Sequence, residues 1–176
     1  MLCRFQRIVD HMDFTSALKK LEESDVYLQW HKQHYDAYLA HFFAEIDEQL
    51  KLGSWQIGFY EHDIDRLSTF LVDGVVELEP QSEAFKKERT IHALDLSSVK
   101  VSAENALDSV VIHQTKKYPQ HLVMKGFLIL QHLDDNLVWN VTFLMRTFTA
   151  LNVKIDAVSG KMIKDELMNL FDLSVK

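Results

Sequence analysis

Three histidines lie close together in the chain, and imidazole is the side chain that most often ligates metals or moves protons near neutral pH. His31 and His34 are three residues apart, and His41 follows seven residues after His34. A helix would place all three on one face. No cysteine or acidic residue stands at a spacing that would complete a ligand set. The sequence therefore predicts neither a metal nor another cofactor at this place.

Aromatic residues are interleaved with these histidines at helical spacing. Aromatic side chains at the border of an apolar stripe suit contact with a protein partner or with a second subunit. We therefore predict a binding site without catalytic residues in this segment. Its candidate members are Tyr27, Trp30, His31, His34, Tyr38 and His41.

Other polar groups that could do chemistry are explained by turns. His62, Asp63 and Asp65 lie between two predicted strands, and Asp134-Asp135 lies between two others. The chain has no Gly-x-Ser-x-Gly elbow and no glycine-rich phosphate loop, and Cys3 is its one cysteine. The absence of an activated nucleophile favours a binding protein over an enzyme.

Composition restricts the classes of partner and compartment. With 26 acidic and 19 basic residues, the formal net charge of the 176-residue chain is −7, which disfavours nucleic acid and anionic membranes. Its hydrophobic content of 47% is enough for a real core. The first ten residues contain no uninterrupted apolar stretch of signal-peptide length, so we expect a cytoplasmic protein. Met12, before a helix-capping Asp13, is a second candidate start of translation.

The six candidate residues are predicted to lie on one long helix. Ser24 and Asp25 suit a helix N-terminus and Gly53 suits a stop, so we predict a helix over residues 25–52. Apolar residues at spacings of three, four and seven would form its buried stripe: Leu28, Tyr35, Leu39, Phe42, Ile46 and Leu50.

After Gly53 the apolar period changes to two, which predicts strands. We expect a hairpin from Trp55 to Val72, a turn at Asp73-Gly74, a strand over 75–78, a charged helix or loop over 81–89 and a strand over 90–96. Ser102 then suits the cap of a second helix that ends near Pro119.

Four further strands are predicted over 121–131, 137–146, 151–155 and 161–164, and an amphipathic segment over 165–173 ends the chain.

The two halves of the chain share a pattern. "SWQIGF" at 54–59 and "VWNVTF" at 138–143 match at an offset of 84, and the match extends to Leu67 with Leu151 and to Leu71 with Ile155. An internal duplication explains this match, and so does the alternation that any two amphipathic strands share. In both cases Trp55 and Trp139 are expected to be core residues.

Residues 97–166 resemble a PepSY-like domain. The resemblance is carried by the Trp139 strand and by Ile155-Asp156-Ala157 followed by Ser159-Gly160-Lys161, with Ser159 where the family prefers Thr. It implies a helix packed on an antiparallel sheet and a role in peptidase inhibition or regulation, or more generally in binding. The N-terminal half would be a degenerate second copy.

We therefore predict an α+β fold with antiparallel sheets each packed on a helix, in two tandem PepSY-like (cystatin-like) halves that either have separate sheets or share one continuous sheet or core. The expected divisions are an N-terminal segment over 1–23 and halves over 24–96 and 97–176. The predicted function is non-catalytic recognition of a protein or peptide partner, a homodimer being one form of it.

The alternative is an NTF2-like or cystatin-like small-molecule-binding protein or enzyme. Its pocket, between the long helix and the sheet, would be lined by Trp30, His34, Tyr38 and His41.

Overall fold

The computed structural model describes residues 12–83, 91–133 and 136–171, which form three α-helices, one 3-10 turn and nine strands. In chain order these elements are α1 (Phe14–Glu22), α2 (Asp25–His31), β1 (Tyr38–Ile46), β2 (Leu52–Glu61), β3 (Arg66–Val72), β4 (Val76–Leu78), β5 (Ser82–Glu83), the 3-10 turn (Leu96–Ser98), α3 (Ala103–Lys117), β6 (Val123–Leu133), β7 (Asn136–Met145), β8 (Thr149–Asp156) and β9 (Met162–Asn169).

These strands form one antiparallel sheet in the order β4-β3-β2-β1-β6-β7-β8-β9, and β5 pairs with β3 beside β4. The two parts of the chain join where β1 pairs with β6, from His41–Gln131 to Ile46–Gly126. A sheet shared by both parts of the chain is one of the two predicted arrangements, but the predicted fold of two helix-packed halves is wrong, because one large sheet with three short helices forms the described structure. Continuous backbone pairing across β1 and β6 makes a single sheet that dominates the fold.

The predicted helix over residues 25–52 is also wrong after its first two turns. Ser24 caps α2 as expected, because its Oγ accepts a hydrogen bond from the backbone N–H of Tyr27 at 3.2 Å. The chain then enters β1, in which Ala40, Phe42, Ala44 and Ile46 are buried and the residues between them lie on the other face. A spacing of four between buried residues satisfies both the helical period and the strand period, so it did not distinguish the two.

The core lies between the helices and one face of the sheet. Trp55 and Trp139 are buried there, as predicted, and the ring of Phe14 in α1 packs edge-on against both of them at 6.3 and 5.5 Å. Each indole N–H donates to a backbone carbonyl just before a helix cap, Trp55 to Met12 at 2.7 Å and Trp139 to Val101 at 2.8 Å. The helices are thereby fixed to the sheet at their N-termini.

The predicted end of the β8–β9 hairpin is confirmed. Asp156 Oδ1 accepts the backbone N–H groups of Val158 at 3.0 Å and Ser159 at 2.6 Å, and these bonds, that from Ser159 first, lower the pKa of Asp156. Gly160 has a φ of +74°, a conformation that glycine adopts without strain. This motif therefore specifies a tight turn.

Two other predicted segments differ from the structure. Residues 91–95, expected to be a strand, have no regular secondary structure, although Leu94 N–H donates to Leu39 O at 2.9 Å. The final segment expected over 165–173 begins inside β9, which continues to Asn169. The charged stretch predicted over 81–89 lies mostly outside the described residues.

Candidate functional site

Four of the six predicted site residues come together on α2 and the loop after it. The ring of Tyr27 stacks on that of His31 with centroids 5.3 Å apart and planes 8° from parallel. Trp30 stacks in the same way on His34 at 4.8 Å and 15°. The spacing of four residues within each pair brings the rings together.

Packing against the sheet holds this short helix in place. The Trp30 ring meets Phe70 of β3 edge-on at 5.1 Å, and Tyr27 meets Phe59 of β2 at 5.4 Å. A helix of seven residues is not stable by propensity alone. Contacts of its aromatic residues with β2 and β3 therefore determine where the stacked rings lie.

Glu61 completes this group, and the sequence analysis did not identify it. It is the last residue of β2 and is 5% exposed, and its Oε2 lies 2.8 Å from Nδ1 of His34, a hydrogen bond in which the ring N–H donates to the carboxylate. The alternation of Trp55, Ile57 and Phe59 toward the core also points residue 61 inward, which is the signal that would have found it. We call Tyr27, Trp30, His31, His34 and Glu61 the α2 cluster.

Three buried polar atoms of the α2 cluster have no hydrogen-bond partner among the described residues. They are Nε1 of Trp30, Nδ1 of His31 and Oε1 of Glu61. Leaving such a group unpaired costs about 1–3 kcal/mol, and native proteins contain few of them. Three in one cluster mark a place where a water molecule or another polar group would be stabilised by hydrogen bonds.

The chemistry offered by the α2 cluster is hydrogen bonding beneath a largely buried aromatic group, in which Tyr27 and Trp30 are 9% and 7% exposed. The Glu61 carboxylate can accept a bond from an ammonium, guanidinium or amide group, and the Trp30 indole can donate one. Within the described ranges, no three His, Cys, Asp or Glu side chains are placed to hold a metal ion. His31 and His34 contribute to the α2 cluster as rings stacked on Tyr27 and Trp30.

Exposed apolar residues lie on α2 or on the loops and strands around it. Tyr35, in the loop after α2, is 80% exposed, and Leu28, on α2 itself, is 48% exposed. Val26 on α2, Ile64 in the β2–β3 turn and Leu78 on β4 are also exposed, and Val75 is exposed in the β3–β4 turn at the other end of β3. Exposed apolar side chains that lie next to polar groups are typical of protein-binding surfaces.

The remaining two predicted site residues lie on the helix-free face of β1. Tyr38 donates its hydroxyl to the backbone carbonyl of Ile91 at 2.7 Å, and its ring packs edge-on against Tyr60. His41 lies so closely over Gly58 of β2 that a Cβ added to this glycine would clash with the imidazole ring. Burial lowers the pKa of His41 to about 4.

The pocket of the alternative function is consequently not assembled as predicted. Its long helix is absent, and its four expected lining residues are divided between the two faces of the sheet, with Trp30 and His34 on one side and Tyr38 and His41 on the other. The six predicted residues do not form one site.

A second polar cluster joins α3 to β9. One carboxylate oxygen of Asp165, Oδ2, accepts hydrogen bonds from Lys117 Nζ at 2.7 Å, Tyr118 OH at 2.8 Å and His113 Nε2 at 3.0 Å. These donors, Lys117 first, hold the pKa of Asp165 well below its usual range. The cluster holds α3 against β9 by electrostatic attraction, and we call it the α3–β9 clamp. Its residues are too far apart in the sequence to have been recognised together.

The two edges of the sheet differ. One edge is divided into the short strands β4 and β5, which are separated at Pro80, and such interruption is a common protection against edge-to-edge pairing. At the other edge, β9 runs for eight residues, and no described strand pairs with its outer side. β9 is therefore the more complete template for another strand.

Comparison with known proteins shows a likeness of fold. No family model matches the chain, and no curated protein matches it. Among solved structures, it is similar to the crystal structure of a "putative lipoprotein" from Clostridium difficile 630, with a TM-score of 0.50 and 13% identity over 89% of this chain and 99% of that chain. Within the described residues, every helix is too short or too polar to cross a membrane. At this identity, the likeness shows that the two chains share an overall fold.

Proposed function

We propose that the protein is a cytoplasmic, non-catalytic binding module that recognises a protein or peptide partner through the α2 cluster. The observation that carries this proposal is the buried carboxylate of Glu61, which has one oxygen bonded to His34 and the other without a partner among the described residues. That oxygen is buried, so a donor from the partner would reach it once the side chains that cover it move aside.

The charge and apolar content of this region define the partner further. A protein of net charge −7 attracts basic segments, so a lysine or arginine side chain is the donor that we expect at Glu61. Leu28 and Tyr35 would bury apolar area around this contact, and their exposure leaves them available for it. The partner is therefore a segment with a basic residue next to apolar ones.

The resemblance of residues 97–166 to PepSY-like domains also supports recognition over reaction, because that family works mainly through binding. It remains a prediction. The hairpin that carries the resemblance, at Asp156 to Gly160, contributes a turn to the sheet and is not part of the α2 cluster.

The test is affinity capture of partners from the source cells with three variants. Glu61→Gln removes the charge of the buried acceptor, and Leu28→Ser removes an exposed apolar contact. Leu122→Ser is the matched control, because Leu122 is also an exposed leucine (63%) but precedes β6, at the opposite end of the sheet from Glu61.

The captured partner is then purified, and its affinity is measured by calorimetry. We expect Glu61→Gln to weaken binding about 10- to 100-fold, since a hydrogen bond to a charged group contributes about 1.5–3 kcal/mol. Leu122→Ser should bind like the wild type. Equal affinity for all four proteins would contradict the proposal. A small molecule that co-purifies with the wild type and not with Glu61→Gln would instead favour small-ligand binding at the α2 cluster.

A further inference from the structure

The backbone of β9 presents an ordered set of hydrogen-bonding groups at its outer edge. Leu170 N–H donates to Phe148 O at 3.0 Å, and Ala150 lies opposite Met168. In an antiparallel pair, successive residues direct their backbone groups alternately toward the partner strand and away from it, so from Lys164 to Leu170 the even-numbered residues face β8. The N–H and C=O groups of Asp165 and Leu167 therefore point outward. The register shifts at Ile163, where this alternation ends.

We propose that β9 pairs antiparallel with β9 of a second copy of this chain, with the two-fold axis at Asp165. The stretch Met-Ile-Lys-Asp-Glu-Leu-Met at 162–168 has the same chemical pattern in both directions. Around Asp165, Lys164 lies opposite Glu166 of the second copy, so opposite charges pair directly across the new contact. Ile163, where the β8–β9 register shifts, lies near Leu167 of the second copy.

The charges select this register over its neighbours. In the neighbouring registers that still pair the outward N–H and C=O groups of the two copies, the two-fold axis lies one residue away, at position 164 or at position 166. The first choice places Lys164 opposite its own copy, and the second places Glu166 opposite its own copy. Like charges directly opposite each other are destabilising, and each of the three axes has one such pair. Only the axis at Asp165 adds two pairs of opposite charge, so it is the most favourable of the three.

Asp165 itself meets its copy at the axis, and the α3–β9 clamp makes this tolerable. Its Oδ2 accepts bonds from Lys117, Tyr118 and His113 of its own chain. The positive charge of Lys117 compensates the carboxylate before the two copies meet. The clamp also fixes β9 against α3, so the edge strand is held in an extended form before it pairs.

The proposed contact has closed two-fold symmetry. A two-fold pairing of β9 with β9 uses the same edge of both chains and, among the described strands, leaves only the interrupted β4 and β5 edges at the ends of the joined sheet. The expected assembly is therefore a dimer with one continuous sheet, and not a filament.

The experiment exchanges the two charges and measures mass by sedimentation and light scattering. We expect the wild type to be dimeric, and Lys164→Glu and Glu166→Lys each to weaken the dimer about 10- to 100-fold, because each places like charges opposite each other at both symmetric positions. The double variant Lys164→Glu with Glu166→Lys restores opposite charges and should dimerise like the wild type.

Mixing the two single variants separates this contact from effects within one chain. Lys164 Nζ donates to Glu166 Oε2 of the same strand at 2.7 Å, and both single variants lose that bond whether or not they are mixed. Across the proposed contact, however, the mixture places the glutamate introduced by Lys164→Glu opposite the lysine introduced by Glu166→Lys. A heterodimer should therefore form although neither variant forms a homodimer. A monomeric wild type at about 100 μM, a concentration well above the micromolar Kd of a weak dimer, or a mixture that stays monomeric, would overturn the proposal.

Discussion

Acidification from pH 7 to about 4.5 is expected to destabilise the fold through His41. Burial lowers the pKa of this imidazole from 6.5 to about 4. Below pH 6.5 the unfolded chain binds a proton at His41, whereas the folded chain does not bind it until about pH 4. The unfolded state is therefore favoured as the pH falls through this window.

The magnitude follows from the difference between the two pKa values of His41. A difference of one pKa unit corresponds to about 1.4 kcal/mol, so the change from 6.5 to about 4 corresponds to about 3 kcal/mol, most of which is lost by pH 4.5. That amount is a large fraction of the roughly 5–15 kcal/mol by which domains are stable.

Urea unfolding of the wild type and of His41→Gln at pH 7 and pH 4.5 measures this contribution. Glutamine does not titrate, so the variant should lose about 2.5 kcal/mol less over this interval. Asp13 and Asp165 do not interfere, because the Ser16 hydroxyl and the Lys117 ammonium lower their pKa values and their contributions are lost only below the usual value of 3.8. Equal losses for the two proteins, or an NMR titration of His41 near pH 6.5, would refute the reasoning.

Three substitutions test other contacts of the fold. Gly58→Ala should cost about 1–3 kcal/mol because its Cβ meets the His41 ring, and a double-mutant cycle by urea unfolding should show almost no cost in the His41→Ala background. Asp165→Asn should lower stability by about 1–2 kcal/mol at pH 7, through weaker bonds to α3, and thermal unfolding measures the loss. Trp139→Phe removes the indole bond to Val101 and should speed amide exchange in the first turn of α3, with β9 exchange as the internal control.

Short sequence motifs correctly predicted the structural features that are held by hydrogen bonds between residues close in the sequence. Ser102 accepts the backbone N–H of Asn105 at the start of α3, as a capping residue should, and Asp156 forms the β8–β9 turn. Each of these depends on residues fewer than four positions away. Period-two alternation likewise predicted β2 and β7, in which Trp55 and Trp139 are buried in the core as expected.

The strand β1, which was predicted to be part of a helix, is stabilised by pairing with strands that are distant in the sequence. β1 lies in the middle of the sheet between β2 and β6, and its neighbours across the pairing, such as Ile57 and Leu130 on either side of Phe42, are distant in the sequence. The spacing from Phe42 to Ile46 fits a helix equally well. Only the strands on either side make the extended form favourable.

The offset between the two halves also changes along the chain. Trp55 lies opposite Val72 in the β2–β3 pair, and Trp139 lies opposite Ile155 in the β7–β8 pair. Val72 and not Leu71 is therefore the structural counterpart of Ile155, at an offset of 83, because the β2–β3 hairpin is one residue longer. A shift of one residue in a strand exchanges its two faces, so the predicted match of Leu71 with Ile155 is wrong.

The α2 cluster and the outer side of β9 lie near opposite edges of the sheet, and the distance between them affects binding. The α2 cluster borders β2 and β3. Five strand-to-strand intervals separate β2 from β9 in the sheet. At about 4.8 Å per interval, a β9-paired dimer would place its two α2 clusters about 50 Å apart along the sheet, somewhat less with twist. Two equivalent sites at this distance bind an immobilised partner with avidity. Lys164→Glu should then speed dissociation from a densely coated surface and leave the affinity for a single partner in solution unchanged, whereas Glu61→Gln should weaken both.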